Sequence, residues 1–271
     1  MAGDKILCGD PGIMVSPQGI HEMSATQKLR LGTRMQRGDR VFRYAKAGET
    51  LVTDYLAFYY DYGVSGYAVV PTATPAGSST VYATIGAAEG VAGDGAVAAH
   101  ELEGGWVVIM LLNAGAAYTS YTFQIIDNTA VTAGGGTCKL TIDSPLPYAC
   151  STSAYTEITG NIYSDVRTAV GGEEDLAAGR MFVGQPMCAA TTTYPYLWLQ
   201  TWGPTFINPY GNCGNADNHN QLVVKKDGSV GEHDDSNALL EYNQHVGCII
   251  TRVAGGAETQ GTPLIMLQIS P

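Results

Sequence analysis

The chain has few charged residues and no long apolar run. Only 14% of its 271 residues are Asp, Glu, Lys or Arg, and the longest apolar stretch, 106–112 (WVVIMLL), has the length of a strand. A membrane-spanning helix needs about 20 apolar residues, so the sequence predicts no contact with a membrane interior. The first residues, MAGDKILCGDPG, lack a basic region followed by an apolar one, and we expect no cleaved signal peptide.

Motifs of catalysis are also missing. His21-Glu22 begins like a zinc-protease helix motif, but Ala25 stands where the second histidine is required. The Gly-rich stretches 90–97 (GVAGDGAV) and 133–137 (AGGGT) lack the lysine of a phosphate-binding loop. The sequence therefore predicts a protein that is not an enzyme and that holds no cofactor.

Two loop-like stretches, 211–221 (GNCGNADNHNQ) and 231–237 (GEHDDSN), concentrate side chains that bind metals. Their candidate ligands are Cys213, Asp217, His219, His233, Asp234 and Asp235. Sulfur, imidazole and carboxylate donors of this kind can hold a cation. Asn, Asp and Gly are also the ordinary residues of turns, because they bond the neighbouring backbone and tolerate left-handed conformations. We interpret both stretches as structural loops and predict no metal site.

The cysteines follow no metal-binding spacing. The six are Cys8, Cys138, Cys150, Cys188, Cys213 and Cys248. An even number permits disulfides, but no CxxC pair is present. Since thiols stay reduced in cytosolic products, we expect mostly free, buried cysteines.

Glycine and tyrosine are abundant, with 34 and 16 residues. Aromatic and β-branched residues fit pleated surfaces, and glycine supplies the positive φ of turns. Many short segments alternate between polar and apolar residues and end at turn signals, which predicts an all-β fold, a β-sandwich or β-barrel of short antiparallel strands with an extended N-terminal arm and a hairpin. Only 173–178 (EEDLAA) and 237–242 favour a short helix.

Shifts in composition suggest four segments. Residues 1–27 form the extended arm, and residues 28–75 contain a basic hairpin and a connecting segment. A β-rich domain at 76–175 and a β-barrel-like domain at 176–271 follow. The Pro/Gly/Thr-rich stretch 71–80 and the Gly-rich region near 172–179 mark the two later boundaries.

Half of the cations of the chain lie in one segment, 28–46 (KLRLGTRMQRGDRVFRYAK), which we call the basic segment. They are Lys28, Arg30, Arg34, Arg37, Arg40, Arg43 and Lys46. Asp39 is the only acidic residue of the segment, which therefore carries a charge of +6. Since the net charge of the chain is −11, the rest of the chain carries −17. The alternating residues 28–36 predict a strand, 40–44 a second strand, and Gly38-Asp39 the turn between them.

This turn includes Arg37-Gly38-Asp39, a tripeptide often associated with cell adhesion, which we interpret as a hairpin turn. An acidic body repels phosphates, so we expect no direct nucleic-acid partner. The basic segment suits docking onto an acidic protein surface. The alternative is a solvated hairpin face with no partner.

Aromatic residues cluster near 194–202. Tyr194, Tyr196, Trp198 and Trp202 could stack on the sugar rings of a glycan. Aromatic side chains in an alternating strand more often fill a core. Glycan or receptor binding is therefore the alternative function.

The order of several segments resembles a group of tailed-bacteriophage virion proteins. Residues 31–51 (LGTRMQRGDRVFRYAKAGETL) look like the opening hairpin of that group, with its "lGt...dGRvFrYakaG" pattern. The similar segments further along are GGWVVIMLLNAGAAYTSYTFQIIDN, GGTCKLTIDSPLP, ITGNIYSDV, VGQPMCAATTTYPYLWLQTWGP, HVGCIITRV and LIMLQIS. The likeness covers 28–271. It departs at the turn, where the usual Asp-Gly is replaced by Arg-Gly-Asp.

The resemblance implies a capsid decoration, or cement, protein. Such a protein is made in the host cytoplasm, binds the major capsid protein on the outer surface of the virion and stabilises contacts between capsomers. It implies a homo-oligomer, a trimer, since such proteins commonly sit on local threefold axes. The seven cations of the basic segment and the N-terminal arm are then the expected capsid contacts. The alternative is a phage fibre or tail protein, or a receptor- or glycan-binding protein, that uses the aromatic residues near 194–202.

Overall fold

The computed structural model describes residues 5–7, 13–60, 64–90, 93–112, 118–169, 181–210, 220–232, 241–251 and 264–270. The chain divides into two compact units. The inserted unit comprises residues 61–162, and the split unit comprises residues 1–60 together with 163–271. No helix among the described residues is long and apolar enough to cross a membrane.

Strands account for the regular structure of both units. The first strands of the split unit are β1 (Lys5–Leu7), β2 (Ile13–Val15), β3 (Arg34–Arg37), β4 (Arg40–Lys46) and β5 (Ala57–Tyr59). The inserted unit contains β6 (Ser65–Val69), β7 (Thr80–Ile85), β8 (Trp106–Leu112), β9 (Tyr118–Asn128), β10 (Gly136–Ile142) and β11 (Tyr155–Thr159). The split unit resumes with β12 (Val166–Arg167), β13 (Phe182–Pro186), β14 (Tyr196–Thr205), β15 (Gln221–Lys225), β16 (Val230–Glu232), β17 (Glu241–Thr251) and β18 (Leu264–Gln268).

The inserted unit is one curled antiparallel sheet of six strands in the order β6-β11-β8-β9-β10-β7. Strand β7 shows how the sequence produces it, because its residues alternate strictly between half-buried and buried. The inward side chains, among them Val81, Ile109, Ile125 and Leu140, form one apolar cluster. Each strand thus buries one face and leaves the other to solvent.

Side chains connect the two end strands of this sheet, β6 and β7. The Ser65 hydroxyl donates to the Thr84 carbonyl oxygen at 2.8 Å, and the Thr84 hydroxyl donates to the Val69 carbonyl oxygen at 2.8 Å. The Glu89 carboxylate accepts from the backbone N–H of Gly66 at 3.0 Å and of Gly86 at 2.6 Å. We call this set of contacts the seam. It satisfies backbone groups at sheet edges, which otherwise invite pairing with other chains.

The split unit contains a ten-stranded sheet. Eight strands follow the order β12-β5-β13-β14-β18-β17-β15-β16, and the β3–β4 hairpin joins through pairing of β4 with β14. Its main apolar cluster includes Phe58, Phe182, Leu222, Val246 and Leu267. A second cluster, beneath the hairpin, contains Ile20, Met35, Phe42, Tyr44 and Trp198.

The all-β prediction is confirmed, and two curled antiparallel sheets fit the β-sandwich or β-barrel class. The short helix predicted at 173–178 lies outside the described residues. The helix predicted at 237–242 is wrong in its described part, since Glu241 begins β17. Cys138, Cys150, Cys188 and Cys248 are free thiols, as expected, but only Cys138 and Cys150 are buried, and Cys188 and Cys248 are half-buried. Cys8 and Cys213 lie outside the described residues.

Candidate functional site

The basic segment forms the predicted hairpin, but its first strand is shorter than predicted. Strand β3 begins at Arg34, and residues 28–33 form bends and turns. The strand cannot extend backwards because the Gly32 N–H donates to the Tyr44 carbonyl oxygen at 2.8 Å with φ +83° at Gly32. A positive φ departs from regular strand geometry and interrupts the regular pairing.

Gly38-Asp39 is the two-residue turn, because Arg37 and Arg40 are paired across the hairpin. Gly38 has φ +59°, the left-handed conformation that such turns require. The turn lies against β14, since a methyl group on Gly203 would stand 2.4 Å from the Asp39 carbonyl oxygen. The interpretation of Arg-Gly-Asp as a turn is therefore confirmed.

The strand register distributes the arginines over two faces. Paired residues point to the same side of an antiparallel sheet. Arg34 pairs with Arg43, whereas Arg37 pairs with Arg40 on the opposite face, where Met35 pairs with Phe42. The seven cations of the basic segment consequently do not form one continuous patch.

Arg43 is part of the fold of the split unit. Its guanidinium donates to the Gly32 carbonyl oxygen at 3.3 Å and to the Ser270 hydroxyl at 3.4 Å. Burial raises the pKa of Tyr163, and the charge of Arg43 and a hydrogen bond with Ser270 oppose that rise. This guanidinium is aimed into its own unit and is poorly placed to meet a partner.

The other cations of the basic segment are more accessible. The exposed ones are Lys28, Arg30, Arg37 and Lys46, and Arg34 and Arg40 are half-buried. The guanidinium carbon of Arg40 lies 5.4 Å from the centre of the Phe42 ring, a cation–π distance. Six of the seven predicted contact residues thus remain candidates for an electrostatic surface.

Residues 16–24, from the predicted N-terminal arm, lie against the split unit. The Gln18 side-chain amide donates to the carbonyl oxygens of Glu22 at 2.7 Å and Tyr196 at 2.9 Å, and its oxygen accepts from the Tyr44 hydroxyl at 2.8 Å. The Gln18 carbonyl oxygen accepts from the Trp198 indole at 3.1 Å. Ser24 forms a β-bridge with Tyr196. The unit's own surface therefore orders this part of the arm.

The aromatic residues near 194–202 serve different purposes. Trp198 is fully buried and packs edge-on against Tyr44, with 5.1 Å between ring centres. Tyr196 is half-buried and stacks on Tyr44 at 6.2 Å, Trp202 is half-buried, and Tyr194 is exposed. Because a sugar must reach the face of a ring from solvent, Trp198 cannot contribute to a glycan site.

The candidate metal ligands all lie outside the described residues: Cys213, Asp217, His219, His233, Asp234 and Asp235. Within the described ranges, no group of three or more His, Cys, Asp or Glu side chains is placed to hold a metal ion.

Sequence reasoning missed one surface, the solvent face of the inserted unit's sheet. Trp106 and Tyr67 are 45% and 54% exposed there, although both lie in strands. Tyr67 stacks on Tyr155 with 4.2 Å between ring centres and 12° between ring planes, and Glu157 lies two residues further along β11 on the same face. Only the pairing of β6 with β11 and of β11 with β8 reveals that these residues, distant in sequence, share a surface.

No protein-family model, curated protein or solved structure matches this chain. Any inference about its function therefore rests on its sequence and its geometry.

Proposed function

We propose that the chain is a noncatalytic structural protein of a tailed-phage virion, a decoration protein that binds the outer surface of the capsid and stabilises contacts between capsomers. The observation that carries the proposal is the charge asymmetry between the basic segment, +6, and the rest of the chain, −17. The order of segments similar to phage virion proteins supplies the identity of the partner, the major capsid protein.

The hairpin supports a docking role because its cations are held in place before binding. Strand β4 pairs with β14 from Lys46 to Val41, so the backbone that carries these side chains is already ordered. A preorganised surface loses less conformational entropy on association than a flexible arm does. Opposite charges on the shell would raise the association rate and fix the orientation of the bound protein.

The acidic remainder of the chain fits the same role. A surface of one dominant sign limits association between particles and repels the phosphates of DNA. The sheet of the inserted unit, whose two end strands are connected by the seam, also suits a protein exposed on a particle, since open edges promote aggregation.

The test is binding of the purified protein to capsid shells that lack it, measured by co-sedimentation over a range of salt concentrations. The triple variant Lys28→Ser/Arg30→Ser/Lys46→Ser removes three exposed charges and leaves the turn unchanged. Exposed ion pairs contribute up to about 1 kcal/mol each, so we expect the dissociation constant to rise by about tenfold to a hundredfold. The salt dependence of binding should also become weaker.

Lys139→Ser is the matched control, because it removes an exposed lysine from the inserted unit. Shell binding should be unchanged by it. Equal binding of the triple variant and the unmodified protein would contradict the electrostatic contact. Failure of the unmodified protein to bind any shell, or its absence from intact virions in cryo-electron microscopy maps, would contradict the proposed function itself.

A further inference from the structure

We infer that the solvent face of the inserted unit is a docking surface for the hairpin turn of a second copy of this chain, with Arg37 and Arg40 as the inserted cations. This interaction goes beyond the proposed function, since it needs no capsid. It leaves Lys28, Arg30, Arg34 and Lys46 for the shell contact. We call the surface formed by Tyr67, Trp106, Tyr155 and Glu157 the aromatic-acidic face.

The register of the sheet brings the four residues of this face together. Glu157 is paired directly with Val108 of β8, and Trp106, two residues before Val108, is its diagonal neighbour, about 7–8 Å away between backbones. On the other side of Glu157, Tyr155 carries the stacked ring of Tyr67. An exposed carboxylate is therefore flanked by aromatic rings from three strands.

Aromatic rings beside a carboxylate are suited to a guanidinium. The ring face attracts the cation, and the carboxylate accepts its parallel N–H donors. The split unit already uses this chemistry. The Arg167 guanidinium carbon lies 3.7 Å above the centre of the Tyr60 ring, and its Nε and Nη2 donate to the two Asp165 carboxylate oxygens at 3.0 Å each. The aromatic-acidic face has the same two groups, an aromatic ring and a carboxylate, exposed to solvent.

Charge complementarity identifies the occupant as another copy. The inserted unit, residues 61–162, has eight acidic residues against one cation, Lys139, and so carries −7. The acidic residues are Asp61, Glu89, Asp94, Glu101, Glu103, Asp127, Asp143 and Glu157. The positive charge of the same chain is concentrated in the basic segment, which carries +6. Two copies therefore present an acidic and a basic surface to each other.

Within the basic segment, the hairpin turn is the part suited to the aromatic-acidic face. Arg37 and Arg40 are paired across the hairpin, so two like charges stand side by side on one face. A carboxylate placed between two such side chains can accept hydrogen bonds from both. Lys46 points to the same side as Arg40 but lies six residues along β4, about 20 Å away. The turn can thus meet Glu157 of a second copy without involving the lysines.

The contact joins two different surfaces, and each copy carries both of them, one aromatic-acidic face and one hairpin turn. We expect weak association of the purified protein, visible by sedimentation velocity at low salt and lost near roughly 1 M salt because the contact is electrostatic. Glu157→Arg and the double variant Arg37→Glu/Arg40→Glu should each weaken self-association by about tenfold or more. Tyr148→Ser, which removes an exposed tyrosine outside this face, should leave it unchanged.

Mixing the two variants provides the decisive measurement. The Glu157→Arg copy keeps an intact turn, and the Arg37→Glu/Arg40→Glu copy keeps an intact aromatic-acidic face. The two altered surfaces also carry opposite charges, so an equimolar mixture should associate although neither variant associates alone. Circular dichroism and thermal melting of each variant exclude a folding defect.

Three results would overturn the inference: an unmodified protein that is monomeric at every salt concentration, self-association that survives Glu157→Arg, or single variants that do not associate when mixed. None of them depends on shell binding, so this inference and the proposed function can fail separately.

Discussion

Replacement of Gln18 by Leu tests whether residues 16–24 belong to the fold of the split unit. Gln18 is 3% exposed, and its side-chain amide makes three hydrogen bonds, to Glu22, Tyr196 and Tyr44. Leucine fills a similar volume but can neither donate nor accept. The substitution therefore removes the polar contacts while it keeps most of the packing.

The structure allows the loss to be estimated. A hydrogen bond contributes about 1 kcal/mol net, and a buried group that loses its partner costs about 1–3 kcal/mol. The Tyr44 hydroxyl keeps a contact, since it accepts from the Lys28 N–H at 3.2 Å. We therefore expect Gln18→Leu to lower the free energy of unfolding by about 3 kcal/mol. With a urea dependence of about 2 kcal/mol per M, the midpoint falls by about 1.5 M.

Fluorescence in urea provides the assay. Of the three tryptophans, Trp106 is in the inserted unit, so a Trp106→Phe background leaves Trp198 and Trp202 to report on the split unit alone. Gln36→Leu is the matched control, because its amide makes one long bond, 3.3 Å, to the Gly38 carbonyl oxygen. Equal midpoints for the Gln18 and Gln36 variants would refute the reasoning and return residues 16–24 to the role of a free arm.

Three further predictions concern local packing and chemistry. Gly48→Ala should lower the unfolding midpoint, because its methyl group would overlap the Asp165 carboxylate, which could move away only by giving up its two hydrogen bonds from Arg167; Gly66→Ala, whose methyl group has its nearest neighbour at 3.9 Å, should cost far less. Glu89→Gln should cost about 1–3 kcal/mol and speed amide hydrogen exchange along the seam, since each carboxylate oxygen accepts one bond and the amide nitrogen of glutamine cannot accept the second; unchanged exchange would contradict the importance of the seam. Burial raises the pKa of Cys138 to about 11, so mass spectrometry should find this thiol unalkylated by iodoacetamide at pH 8 until the protein unfolds, and rapid native labelling would contradict its burial.

The sequence predicted the elements whose signals are local. Short alternating segments indicated an all-β chain, and Gly38-Asp39 between two alternating runs indicated the hairpin turn. The prediction of a strand at 28–33 was wrong because the alternation of polar and apolar residues does not reveal the positive φ of Gly32. The partner of β4 is β14, about 150 residues away in sequence, and no local pattern specifies a pairing over that distance.

The candidate surfaces likewise combine features that the sequence reveals with features that depend on strand pairing. The positive charge of the basic segment can be counted in the sequence. Which face of the hairpin each arginine occupies depends on the register of β3 and β4. The inward direction of Arg43 depends on Gly32 and on Ser270, near the opposite end of the sequence. The aromatic-acidic face was invisible because its residues come from β6, β8 and β11, and each looks like an ordinary half-buried strand when it is read alone.

The two faces of the hairpin bear directly on function. If all seven cations met one partner, the loss of any one would weaken binding to a similar extent. The register excludes that, because Arg34 and Arg43 point away from Arg37 and Arg40, and Arg43 is bonded within its own unit. Serine at Arg43 should therefore reduce stability, serine at Lys28, Arg30 and Lys46 should reduce shell binding, and glutamate at Arg37 and Arg40 should reduce self-association. A segment that composition presents as one basic block thus has three separable roles, and measurements of unfolding, co-sedimentation and sedimentation velocity on the same variants distinguish them.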